Sequence, residues 1–125
     1  SGADPLEELT ACNIIKAIGR GFSAKKALNL LDENFGLCII NIKDFANSKN
    51  SIIRLKGRVI GKDGKIRAFI EKELDVSLKV YGKTVSVIGN HNNIEVARQA
   101  IFLLLNGGSY AAMRKLIQKN YENLR

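Results

Sequence analysis

Apolar positions recur at helical spacing in some parts of the chain and in alternation in others, and this contrast divides it. Leu6, Leu9, Ala11, Ile14, Ile15 and Ile18 follow a 3.6-residue period up to Gly19, a plausible helix stop. Ser23 is placed to cap a second helix to about Leu31, with Ala24, Ala27, Leu28 and Leu31 along one side. Neither helix can bury its stripe alone. Gly36–Ile42 is short, apolar and flanked by Asn and Asp, so it reads as a strand. Ser48 or Asn50 can then cap a helix whose apolar positions are Ile52, Ile53, Leu55, Val59 and Ile60. Beyond Gly61 and Gly64, helical spacing resumes from Lys65 to Leu74 through Ile66, Phe69 and Ile70. Val76–Val80 and Thr84–Ile88 alternate, and Tyr81-Gly82-Lys83 is a hairpin connection. A helix follows from about Asn92 to Leu105, stopped by Gly107-Gly108, and Ser109 opens a last one. Tyr110, Met113, Ile117 and Tyr121 share a face of that last helix, which core packing explains better than partner recruitment.

The element order over 36–106 is therefore β-α-α-β-β-α, an α+β fold with a three-stranded sheet and helices on one face. Residues 1–35 and 107–125 add terminal helices. At 125 residues and 46% hydrophobic, the chain can bury one modest core. Cys12 and Cys38 lack metal-ligand spacing and the chain has one histidine, His91, so a zinc site is not expected. Both cysteines have apolar neighbours and read as buried, reduced thiols, which points to a cytoplasmic protein. No apolar run is long enough to span a bilayer, no secretory signal is visible, and no cofactor is expected.

Charge changes the picture. The net charge is +8, which favours a polyanionic partner, and residues 54–67 carry six cations and one acid, a net +5. Within this stretch Gly61 and Gly64 are spaced G-x-x-G around Lys62 and Asp63. A Walker A loop is excluded, because Val59 and Ile66 occupy the positions of its first glycine and its hydroxyl. Gly19-x-Gly21-x-x-Ala24 matches the dinucleotide fingerprint, but a helix precedes it where a strand is required, so it reads as a stop and turn.

A G-x-x-G between two helices, in a β-α-α-β-β-α order, matches the RNA-binding KH module of eukaryotic type (type I), whose loop clamps backbone nucleotides. Gly61 and Gly64 let a phosphate chain approach, and the N-terminus of the Lys65 helix favours anions. Arg54, Lys56, Arg58, Lys62, Lys65 and Arg67 supply cations that position a strand without reading its sequence. Bases would be read in the groove between the two helices and the middle strand, with Val59, Ile60, Ile66 and Val80 as candidate walls. Ile60 and Ile66 serve equally well as core. Asp63 opposes phosphate unless it points to water or caps the following helix. Neutralising four or five phosphates would give a log K versus log salt slope of about −3.

Four segments carry a closer resemblance: Lys16-Ala-Ile-Gly-Arg-Gly-Phe-Ser23, Ala27-Leu28 with Leu30-Leu31, Arg54-Leu-Lys-Gly-Arg-Val-Ile-Gly61, and Val80-Tyr-Gly-Lys-Thr-Val-Ser-Val-Ile-Gly89. Over residues 6–124 the chain resembles the archaeal form of the two-KH family that assists small-subunit ribosomal RNA maturation. That resemblance implies a non-enzymatic factor holding single-stranded RNA near the 3′ end of the small-subunit rRNA. It further implies a PIN-domain endonuclease and the alpha subunit of translation initiation factor 2 as partners. The family carries a complete first KH module; here residues 1–35 look like its helical remnant, 36–106 like the second module, and 107–125 like a C-terminal helix.

The competing reading is a protein-interaction adaptor with a degenerate KH surface. An enzyme finds little support, since His91 falls at a helix start beside two asparagines and no nucleophile–base pair is evident.

Overall fold

The computed structural model describes residues 5–124, with side chains through residue 120. In chain order the elements are α1 (Pro5–Gly19), α2 (Ala24–Ala27) continued by a 3₁₀ turn (Leu28–Leu31), β1 (Phe35–Asn41), α3 (Lys49–Ile60), α4 (Lys65–Leu74), β2 (Ser77–Tyr81), β3 (Thr84–Asn90), α5 (His91–Leu105) and α6 (Tyr110–Leu124). Each expected element is present. The N-caps are Ser23, Ser48 and Asn90, whose side chains accept from the amides of Lys26, Ser51 and Asn92. Ser48 thus settles the choice between two candidate caps. His91 is the first residue of α5, and its ring packs where a Cβ on Gly36 would stand, 2.7 Å from Cε1.

The sheet is antiparallel with order β1-β3-β2, so the last strand of the hairpin is central and β2 is an edge. Cys38, Ile40, Leu78, Val80, Val85 and Val87 face a core built with Ile52, Leu55 and Val59 of α3, Ile70 and Leu74 of α4, and the inner stripe of α5. Met113 and Ile117 of α6 are fully buried there, so that stripe is core; Tyr110 is partly exposed and packs edge-on against Phe69. The side chain of Tyr121, expected on the same face, lies outside the described residues.

Helices cover more than one face of the sheet. Ala17, Phe22, Ala27 and Leu30 form a second cluster on the opposite side with Ile88, joined by Ile14, Phe35 and Leu37. The cause lies in β1, where alternate residues on both faces are apolar, as in strands buried on two sides. Gly21, at φ 97°, makes the turn that seats Phe22 beneath the sheet.

Of the expected stripes of the first two helices only part packs: Ile14 of the first and Ala27 of the second join the cluster. Leu6, Leu9, Ile15 and Ile18 remain 47–70% exposed, and Leu28 and Leu31 are exposed as well. The sheet receives Ile14 and, outside the expected stripe, Ala17. Cys12 is exposed and Cys38 half-buried, so only the second fits the expectation of a buried thiol. Burial in an apolar setting, partly offset by Arg98, holds the Cys38 thiol above its usual pKa. No helix among the described residues is long and apolar enough to cross a membrane.

Candidate nucleic-acid interface

The G-x-x-G segment closes α3 and opens α4 within four residues. Gly61 adopts φ 76°, ψ 171°, a conformation essentially reserved for glycine. Its amide donates to the Gly57 carbonyl at 2.8 Å and its carbonyl accepts from Gly64 at 3.1 Å. A Cβ on Gly61 would lie 2.5 Å from Cγ1 of Ile66, so this glycine is required by packing as well as by conformation. Gly64 is left-handed (φ 73°, ψ 15°), but a Cβ there would meet nothing within 4 Å. The loop is therefore closed on the Gly61 side and open on the Gly64 side, where a ligand backbone can approach. Asp63 is also left-handed (φ 58°), a region that Asp tolerates better than most residues.

No side chain caps α4, and its first turn holds no acid; Asp63 is exposed and does not cap. An uncapped helix start carrying Lys65, next to exposed Lys62, leaves the positive end of the helix uncompensated, which suits a phosphate.

The six cations of 54–67 do not share a surface. The helical period of α3 turns Ile52, Leu55 and Val59 inward and places Ile53, Lys56, Gly57 and Ile60 on one flank. Arg54 and Arg58 fall on the other flank, beside Leu105–Gly107. Arg58 is engaged in the fold. Its Nε donates to the Leu104 carbonyl at 2.8 Å and its Nη2 to the Gly108 carbonyl. The first carbonyl lies in the last turn of α5 and the second in the turn after it, a Schellman arrangement with Gly108 N–H on Leu103 O (2.8 Å) and Gly107 N–H on Leu104 O (3.2 Å). A cation satisfying a carbonyl of the last helical turn and one of the turn that follows is a structural contact, so Arg58 is removed from the clamp. Val59 is removed too: at 0% exposure it belongs wholly to the core.

Arg67 turns toward β2 and pairs with Glu71 (Nε to Oε1, 3.6 Å), while Glu71 Oε2 accepts from the Leu78 amide at 3.1 Å. Val80 is half-buried on β2, which is an edge strand and not the middle one as expected. Since the Leu78 amide points away from β3, strand alternation directs the Val80 amide and carbonyl to the same open edge. Ile60 and Ile66 are both half-buried, and Ile66 packs against the core beneath Gly61.

Two features lay outside the sequence expectation. One is the open backbone edge of β2, which follows from strand order and has no residue-level signal. The other is Gly57, exposed in mid-helix, where an added Cβ would meet nothing within 4 Å. A glycine there weakens the helix by roughly 0.5–1 kcal/mol relative to Ala, and that cost was the available signal.

A glycine-bearing helix flank, a two-glycine turn with an uncapped helix start, and an open strand edge are thus carried by α3, α4 and β2, the elements expected to line the groove. Residues 36–122 match a family model for the second KH domain of PNO1 proteins, described as a eukaryotic-type KH domain (KH-domain type I). The chain belongs to the eukaryotic-type KH family. The matched span of the KH domain includes most of α6.

A KH domain-containing protein of Methanocaldococcus jannaschii is 43% identical over 122 residues, which cover 98% of this chain and 54% of that protein. Among solved structures, a protein of unknown function from Aeropyrum pernix superposes with a TM-score of 0.93 at 31% identity, covering 98% of this chain and 66% of that one. Dim2p from Pyrococcus horikoshii gives 0.84 at 40% identity, with 93% and 68% covered. The complex of a/eIF2alpha, aDim2p and rRNA from the same organism gives 0.87 at 39% identity, with 97% and 66% covered. The chain thus spans about half the length of the Methanocaldococcus relative and about two thirds of the solved chains.

Proposed function

We propose that this KH domain binds single-stranded RNA and acts in small-subunit ribosome assembly, at the 3′-end maturation of the small-subunit rRNA, without catalysing a reaction itself. The observation that carries the reading is the Gly61–Gly64 turn, closed on Ile66 but open at Gly64 and backed by the uncapped start of α4. Lys56, Lys62 and Lys65 face the strand, Ile60 and Ile66 flank the bases, and the Val80 backbone edge offers a donor and an acceptor for a base edge. Arg54 contributes only at long range and Arg67 only if its pairing with Glu71 loosens.

The Pyrococcus complex supports rRNA and the alpha subunit of translation initiation factor 2 as partners. A PIN-domain endonuclease remains part of the proposal on sequence resemblance alone. Residues 1–35 are proposed as the helical end of a preceding KH module, and the exposed Leu6, Leu9 and Ile15 of α1 favour that origin. A cytoplasmic setting is proposed with it.

A salt titration with a single-stranded tetranucleotide pool tests the clamp. Three facing lysines predict a slope of log K against log salt of about −2, shallower than the −3 expected for four or five neutralised phosphates. A slope near zero would contradict RNA clamping and favour the adaptor reading.

A further inference from the structure

The seam between α4 and α6 lies off the groove, and core packing does not account for all of its side chains. Arg67 and Glu71 mark the flank of α4 that faces β2. The helical period places Phe69 on the opposite flank, with exposed Lys72 beside it. On α6, Met113 and Ile117 are fully buried, whereas Tyr110 and Arg114, one turn apart, are exposed. The Phe69 and Tyr110 rings meet edge to face with centroids 5.9 Å apart. The Arg114 guanidinium lies over both, 5.4 Å from the Phe69 centroid and 5.7 Å from that of Tyr110.

The charge at this seam is unused. Neither Lys72 nor Arg114 makes an ion pair among the described residues. Glu73, half-buried, is the acid that the period puts on the same flank of α4, and it too has no ion pair among them. From Tyr110 to Asn120 the sequence of α6 holds three cations and no acid. Two rings hold the guanidinium in place, so its fork is oriented before a ligand arrives and less side-chain freedom is lost on binding. A planar guanidinium offers paired donors that match a carboxylate.

Tyrosine and arginine gathered around a partly buried aromatic ring have the composition of the contacts that dominate protein–protein interfaces. We infer that this face docks a protein partner through an acidic segment, with a carboxylate on Arg114 and Lys72 and an apolar side chain against the Phe69–Tyr110 pair. Charge complementarity selects the acid, and the exposed tyrosine selects its apolar neighbour. Nucleic acid fits less well, because a stacking base needs an open ring face and Arg114 already lies over both rings. The face sits on the flank of α4 turned away from β2, so it leaves the groove free, and the inference stands independently of the clamp.

The test pans a displayed library of random dodecapeptides against the whole chain, then measures the recovered peptides in solution. The wild type is compared with Arg114→Glu, Lys72→Glu and Tyr110→Leu, and with Lys25→Glu as a control of equal charge change on α2, across the sheet. All four positions are exposed, and a thermal melt checks that each variant folds. The recovered peptides are expected to combine Asp or Glu with an aromatic or aliphatic residue. Arg114→Glu and Lys72→Glu should each bind them about tenfold or more weakly, as truncation of a central contact does. Tyr110→Leu keeps every charge but frees the guanidinium, so it should cost about threefold. Lys25→Glu should stay within about twofold, since salt screens so distant a charge.

Recovery of no binding peptide, or of peptides without acidic residues, would overturn the docking face. So would peptides that Arg114→Glu and Lys72→Glu bind as tightly as the wild type does. An equal loss in Lys25→Glu would overturn it as well, since the basic chain would then attract acids as a general field. Random-sequence RNA of eight nucleotides is measured alongside and should bind Arg114→Glu within about twofold of the wild type. A loss of RNA affinity as large as that of the peptides would give the face to nucleic acid and overturn the protein reading.

Discussion

Gly57, Gly61 and Gly64 perform three different tasks that a sequence motif writes with one letter. Gly61→Ala must accept a forbidden φ and a Cβ pressed on Ile66, so it should destabilise the fold by about 1–3 kcal/mol in urea melts. Gly64→Ala keeps its space and bears only left-handed strain, so its loss should be about 1–2 kcal/mol and smaller than that of Gly61→Ala. Gly57→Ala should do the reverse. Its backbone is helical and its outer space open, so the fold gains roughly 0.5–1 kcal/mol while RNA affinity falls. A variant more stable and equally tight would show that no strand packs against this flank. The G-x-x-G pair was legible because its spacing and its basic surround are local. Gly57 was not singled out, since a helix period records apolar residues and says nothing of a glycine among them.

At the level of elements, α3 shows where a charge count fails. Lys56 and Arg58 are two residues apart and therefore on different flanks of the helix; only the first looks onto the groove. Arg58 holds the end of α5 through the Leu104 and Gly108 carbonyls. Arg58→Ala should therefore lower stability by about 1.5–3 kcal/mol, as expected for charge-assisted hydrogen bonds, and leave tetranucleotide binding within twofold. Paired melting and binding curves would check both halves. Element boundaries came through well because caps and glycines mark them: Ser48, Asn90 and Gly107 each stand where the chain changes conformation. Helix rotation did not. Most of the stripe of α1 that a 3.6-residue period selects is exposed, and Ala17, a small residue without weight in such a pattern, joins Ile14 in the contact with the sheet. The place of β2 at the sheet edge was likewise hidden, since antiparallel order depends on which strand the hairpin inserts between.

For the whole molecule, the sheet separates two apolar clusters, one holding α3–α6 and the other α1 and α2. The groove lies on the first side, at the open edge of β2, and the exposed leucines and isoleucines of α1 lie on the second. RNA binding and any contact made by α1 should thus be separable by mutation. Leu9→Ser or Ile15→Ser, both on exposed positions, should leave RNA affinity unchanged. The chain's net charge of +8 is consistent with RNA attraction, but its direction is set by a handful of lysines. Lys62, exposed in the open turn and free of ion pairs among the described residues, is the least entangled of them with the fold. Lys62→Asp reverses the charge at the point where a phosphate must come closest. The most direct measurement is therefore the affinity of Lys62→Asp for single-stranded RNA beside its melting temperature. A fall of tenfold or more, about 1.4 kcal/mol, with an unmoved melting transition is the predicted result. Undiminished binding by the folded variant would contradict the clamp.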